Sequence, residues 1–192
     1  MWTSNIKKIY VFYSVIAIIG LILGLVFLLS MNEANKEIIF LNINEWTQNI
    51  ENGHINNIIT HVVVLSSLFI LSLIIIGLPL NLFLNLYNGF SIGFIIITLT
   101  NLFKIKGFFY SIIYIIITKA IYIFFSFILT ASNSKYCLVN IKTFLKTFKF
   151  NKEQLTILCQ KNLLCIGIII CYDIFLYFAG SKILTIFNFL IN

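Results

Sequence analysis

The chain has 192 residues, 60% of them hydrophobic and 10% charged, with a mean hydropathy of +1.04. Soluble domains carry roughly a quarter charged residues, so this composition excludes an ordinary soluble protein and leaves little polar chain for a separate catalytic module. The net charge of +7 comes from thirteen lysines against six acids; with no arginine fork or aromatic-interleaved basic groove to read nucleic acid, it implies anionic lipid as the partner.

Behind Lys7 and Lys8, residues 9–31 are twenty-three uncharged residues. About 20 helical residues at ~1.5 Å rise cross a ~30 Å hydrocarbon core, so this run reads as span one and is too long for a signal-peptide core. Gly20 and Gly24 form a GxxxG pair, which lets two helix backbones approach closely. Packing within one chain is the expected use, with a homo-oligomer as the alternative.

Residues 32–57 carry Glu33, Glu37, Glu45 and Glu51, four of the six acids, and read as an exposed acidic external loop. Trp46 within it suits the membrane interface.

From residue 52 to 103 the chain has no Lys, Asp or Glu, and this stretch holds its single proline, Pro79. Fifty-two residues exceed one crossing, so two spans are predicted, 58–78 and 80–103, separated by a break or kink at Gly77-Leu78-Pro79. A boundary at Tyr87-Asn88-Gly89 is the alternative. Asn81, Asn85 and Asn88 follow i, i+4, i+7 spacing and make one polar stripe, continued by Ser91 and Gly93. Such a stripe faces protein or water rather than lipid, and hydrogen bonding between helices or the lining of a pathway are its two uses. His54 and His61 share a helix face but have no third ligand nearby, so no metal site is expected.

Lys104 and Lys106 precede span four, residues 107–131, which has Lys119 near its middle. A re-entrant hairpin over 89–117 would place Lys104 and Lys106 near the midplane, at about 2.5–3.5 kcal/mol each, which favours full spans. The basic stretch 132–161 reads as a cytoplasmic loop. Within it Ile141, Phe144, Leu145 and Phe148 oppose Lys142, Lys146 and Lys149, the pattern of a membrane-surface helix. Each such lysine adds about 1 kcal/mol of attraction to an anionic leaflet. A solvated connector is the alternative. Span five covers 162–181 and contains Asp173, and residues 182–192 form a short apolar tail.

Lys119 and Asp173 are the only lysine and acid well inside predicted spans, where an isolated charge is costly. They are expected to pair across helices four and five, with a proton or ion relay as the functional alternative. Cys137, Cys159, Cys165 and Cys171 lack metal-type spacing and read as free thiols. No nucleophile-and-base pattern and no phosphate-cradling glycine loop occurs, so neither an enzyme nor a cofactor is expected. Lysine placement, eight on one side of a five-span path against four on the other, puts the N-terminus in the cytoplasm.

At Ile76-Gly77-Leu78-Pro79, then Gly89-Phe90-Ser91-Ile92-Gly93-Phe94, then Lys106-Gly107-Phe108-Phe109-Tyr110-Ser111, the chain resembles the stage II sporulation protein M family. The likeness extends loosely over span one and the basic segment to Lys149. It departs at Ile116-Ile117-Thr118-Lys119, where the family often has a proline-containing step, and Asp173 stands as the counterpart of a glutamate near the family's last span. The resemblance implies a multi-pass protein of the septal and engulfing membrane of the mother cell in endospore-forming bacteria. It also implies a non-enzymatic scaffold that localises two peptidoglycan hydrolases, the stage II sporulation proteins D and P, for forespore engulfment. Gly77, Pro79, Asn81, Asn85, Asn88, Gly89, Gly93, Lys119 and Asp173 are the candidate structural or partner-binding residues. A small transporter or channel using the Asn-lined helix and the Lys119 and Asp173 charges is the competing reading.

Overall fold

A computed structural model describes residues 2–48, 57–74, 76–147 and 152–187, and among these the protein is helical with no strand. The helices are α1 (Trp2–Ser30), α2 (Glu33–Gln48), α3 (Ile58–Ser72), α4 (Gly77–Thr118), α5 (Ala120–Thr147) and α6 (Lys152–Phe175). A π-helical turn, Leu176–Gly180, carries α6 into α7 (Ser181–Ile186).

Burial is inverted relative to a soluble bundle. Asn81 and Asn85 are 0% and 2% exposed, while Val11 and Leu163 are 63% and 73% exposed. Apolar side chains outside and amides inside are the arrangement a hydrocarbon solvent selects, because lipid satisfies no hydrogen bond. Three stretches are long and apolar enough to cross a membrane, Lys8–Ser30, Gly77–Thr118 and Glu153–Ile186.

That count differs from the five predicted spans for two reasons. The α3 helix is apolar but ends at Ser72, six residues short of the predicted boundary, and its 15 residues reach only about 22 Å. Predicted span three and the first half of predicted span four, by contrast, both fall within α4, and the second half of span four begins α5. α4 has 42 residues but folds back on itself at Lys104, whose φ of 55° and ψ of −133° are not helical. A Cβ placed on Gly107 would stand 2.6 Å from the Leu99 carbonyl carbon and 3.0 Å from Phe103 Cβ. Residues eight apart in a straight helix are about 12 Å apart, so this contact requires a hairpin with one arm before Lys104 and one after it.

The kink or break expected between Gly77 and Gly93 is also displaced. Leu73, Ile74 and Gly77 close turns onto Ile70, Leu71 and Ile74, so the interruption precedes Gly77. Pro79 occupies the first turn of α4, where its missing N–H has no helical partner to lose, and the helix runs unbroken through Gly93. The acidic loop is likewise largely helical as α2, and the basic segment continues α5 to Thr147 before α6 begins at Lys152, ten residues earlier than the predicted span. The backbone at Ile141, Phe144 and Leu145 thus belongs to α5 rather than to a separate surface helix, and Phe148 and Lys149 lie outside the described residues, as does His54.

α1 lies parallel to the first arm of α4 and makes its most extensive packing there. Gly20 and Gly24 face the backbone at Leu86, Phe90 and Phe94, and Gly89 and Gly93 reciprocally face Ala17, Leu21 and Leu25. Cβ atoms at these four positions would stand 2.8–3.1 Å from the main-chain nitrogens of Phe94, Phe90, Leu21 and Leu25, and closer still to neighbouring carbonyls. Two small-xxx-small motifs therefore interlock within one chain, the close approach that glycine alone permits. On the far side, Leu65, Leu68, Leu84, Tyr122, Leu129, Cys165 and Ile169 form the apolar core where α3, α4, α5 and α6 meet.

Candidate functional site

The three asparagines of the stripe, spaced to share one helical face, all point into the bundle, and each donates across to another helix. Asn81 Nδ2 donates to Ser72 Oγ of α3 at 3.1 Å, Asn85 Nδ2 to Thr130 Oγ1 of α5 at 2.6 Å, and Asn88 Nδ2 to Ser126 Oγ of α5 at 2.9 Å. Partner numbers on α5 fall as those on α4 rise, so the first arm of α4 and α5 are antiparallel. The seam continues toward the α5–α6 end, where Asn162 Nδ2 donates to Asn133 Oδ1 at 2.9 Å and the Tyr13 hydroxyl of α1 bonds Ser134. Asn81 Oδ1, Asn140 Oδ1 and Asn162 Oδ1 are buried and accept nothing among the described residues.

Asp173 does not pair with Lys119. Its Oδ2 lies 2.8 Å from Nδ1 of His61, and both side chains are almost completely buried. The His61 ring also stacks on Tyr122, with ring centroids 3.7 Å apart and planes 12° from parallel. The pairing differs from the expected one because of register. α3 places His61 in its first turn opposite α6, whereas Lys119 sits at the joint between α4 and α5, where φ of −120° departs from helical values. Next to Asp173, the Tyr172 hydroxyl donates to the Ile117 carbonyl, tying α6 to the turn that precedes this joint.

Sequence pattern alone presents His61 only as a metal ligand that lacks companions. The signal for its actual role is its isolation: it is the sole titratable side chain between residues 58 and 78, and a lone titratable group in an apolar helix needs a buried polar partner. Among the described residues no cluster of three or more His, Cys, Asp or Glu side chains is placed to hold a metal ion, and the four cysteines are unpaired.

Beside this pair a cavity of about 500 Å³ is lined by His61, Asn88, Ser91, Lys119 and Tyr122, together with aliphatic residues of α3 and α4. Gly77 packs against Leu71 and Ser72 where the chain enters α4; Pro79 is exposed in the same turn. Of the candidate residues, the structure thus brings Asn88 and Lys119 to one cavity, with Asp173 behind His61. Asn81 and Asn85 lie along the seam, and Gly89 and Gly93 lie on the opposite face against α1.

No family model matches the chain, and neither a curated protein nor a solved structure matches it.

Proposed function

We propose that this protein is a non-enzymatic membrane scaffold. The observation that carries this reading is a set of buried side-chain bonds between helices: the asparagine bonds to Ser72, Thr130 and Ser126 and the His61–Asp173 pair tie helices together. Hydrogen bonds of this kind hold a bundle in one arrangement and present a fixed surface to partners.

In this reading five segments cross the bilayer: α1, α3 together with the apolar turn that leads into α4, the two arms built around Lys104 and continued into α5, and α6 with its extension. The N-terminus is cytoplasmic, and the glutamates of α2 face outward with Lys104 and Lys106. The likeness to the stage II sporulation protein M family, carried by the Gly77-Leu78-Pro79, Gly89 to Gly93 and Gly107 to Ser111 segments, supplies the specific role. That role is recruitment of the stage II sporulation proteins D and P to the engulfing membrane of an endospore-forming bacterium. The exposed outer face of α2, with Glu37 and Glu45, is the proposed contact.

The test is co-purification from sporulating membranes in mild detergent, together with microscopy of engulfment in a deletion strain. Recovery of either hydrolase and arrested engulfment support the scaffold; recovery of neither with normal engulfment overturns it. One observation favours a second reading, a small transporter: the cavity beside Lys119. Solute flux in proteoliposomes that is abolished by Lys119→Met would favour that reading.

A further inference from the structure

Because Asp173 is bonded to His61, Lys119 is left as a half-buried cation with no carboxylate within ion-pair distance among the described residues. An ammonium removed from bulk water and lacking a counter-charge is unfavourable, so the site has an unmet demand for an anion. Lys119 also lines the cavity of about 500 Å³, and neither Asp nor Glu lines it.

The cavity is divided by the register of its walls. Ser72 meets Asn81, so α3 runs antiparallel to the first arm of α4. Leu68 and Leu71 therefore stand opposite Leu80 and Leu84 at one end, and Thr60 and His61 stand with Asn88, Ser91 and Lys119 at the other. The first end is aliphatic; the second presents a cation, an amide and hydroxyls. Phe83 and Tyr87 line the cavity and are 65% and 54% exposed, so its rim reaches the lipid-facing surface.

We infer that this cavity binds an anionic amphiphile, with its carboxylate or phosphate at Lys119 and one acyl chain along the Leu68, Leu71, Leu80 and Leu84 wall. The volume lies within the roughly 300–1,000 Å³ of small-molecule pockets, enough for one chain and too little for a whole two-chain lipid. A phospholipid would leave its second chain in the bilayer. A zwitterionic head would bring a quaternary ammonium beside Lys119 with no acid lining the cavity to receive it. The inference does not rest on the scaffold reading, since it needs only the cavity and the uncompensated lysine.

Native mass spectrometry of the delipidated full chain, titrated with palmitate, phosphatidylglycerol and phosphatidylcholine, tests it. Palmitate or phosphatidylglycerol is expected to bind at least tenfold more tightly than phosphatidylcholine. Lys119→Met should erase that preference and Lys119→Arg should keep it. Selective binding of palmitate assigns a free carboxylate, and selective binding of phosphatidylglycerol assigns a lipid phosphate. Equal binding of all three, or an unchanged preference in a folded Lys119→Met protein, overturns the site. Should Lys119→Met fail to fold, Ser67→Trp replaces it as the test: it projects into the cavity from an exposed position on α3 and keeps the lysine. At least tenfold weaker anion binding supports the site, and unchanged binding overturns it.

Discussion

The imidazole of His61 and the carboxylate of Asp173, 112 residues apart in sequence, meet at 2.8 Å inside the bundle and join α3 to α6. α3 is the shortest of the apolar helices that build the bundle core and is held mainly by α4, α5 and α6, so this bond is one of few polar constraints on its position. Replacing Asp173 with Leu leaves the His61 nitrogen unsatisfied and should cost about 1–3 kcal/mol. A double-mutant cycle between His61→Leu and Asp173→Leu, read by unfolding in detergent, should give a favourable coupling of up to about 1.7 kcal/mol, the largest found for hydrogen bonds between membrane helices, which average about 0.6 kcal/mol. The charge swap Lys119→Asp with Asp173→Lys should not restore stability. Restoration by the swap, or zero coupling between His61 and Asp173, would contradict the pairing.

The interlocked glycines predict a sharp positional contrast. A side chain at Gly89 meets the Ala17 carbonyl and one at Gly20 meets that of Leu86, both main-chain atoms that cannot swing aside. Gly89→Val should therefore separate α1 from α4 and destabilise by about 3 kcal/mol or more, as overpacking against rigid backbone does. Gly167 has nothing within 4 Å of its would-be Cβ, so Gly167→Ala should be neutral or stabilise by up to about 1 kcal/mol through helix propensity. Thermal midpoints of the two variants in one detergent decide the matter.

Lys104 is the sole described non-glycine residue with positive φ, and it sits at the turn between the two arms of α4. A side chain at φ 55° and ψ −133° carries strain of about 1–3 kcal/mol that glycine would not. Lys104→Gly should raise the thermal midpoint, while Lys106→Gly, within the second arm, should lower it. A drop for Lys104→Gly would show that the hairpin depends on the lysine itself.

The hairpin also makes a prediction about sidedness. In a cysteine-free background, single cysteines at Lys104 and Lys36 should react with a membrane-impermeant thiol reagent from the same side, and cysteines at Lys8 and Lys161 from the other. Labelling of Lys104→Cys and Lys161→Cys from one side would remove the five-span path and leave a re-entrant α4.

How much of the fold is legible without coordinates differs from residue to residue. The inward stripe of Asn81, Asn85 and Asn88 follows from helical periodicity, because 3.6 residues per turn alone assigns them one face. The close-packing role of Gly20 and Gly24 is readable as a motif, and Gly89 and Gly93 repeat its spacing, but that these two pairs meet each other is not readable from spacing. The partner of Asp173 is not Lys119, as charge isolation suggests, but His61. Lys119 and Asp173 are both isolated charges, yet pairing depends on how far α3 and α6 slide past one another, and no local rule encodes that offset.

Membrane residence and the inward amide face were determined by the sequence itself, since both depend on local sums: apolar length against bilayer thickness, and side-chain period against helical pitch. Where α3 stops, where α4 turns back, and which half-buried cation remains uncompensated were decided only by the tertiary structure. Hydropathy averages over windows of about 19 residues and so blurs a single turn such as Lys104. The electrostatic state of Lys119 depends on a bond made by two other residues, His61 and Asp173, on helices that meet only when the bundle closes.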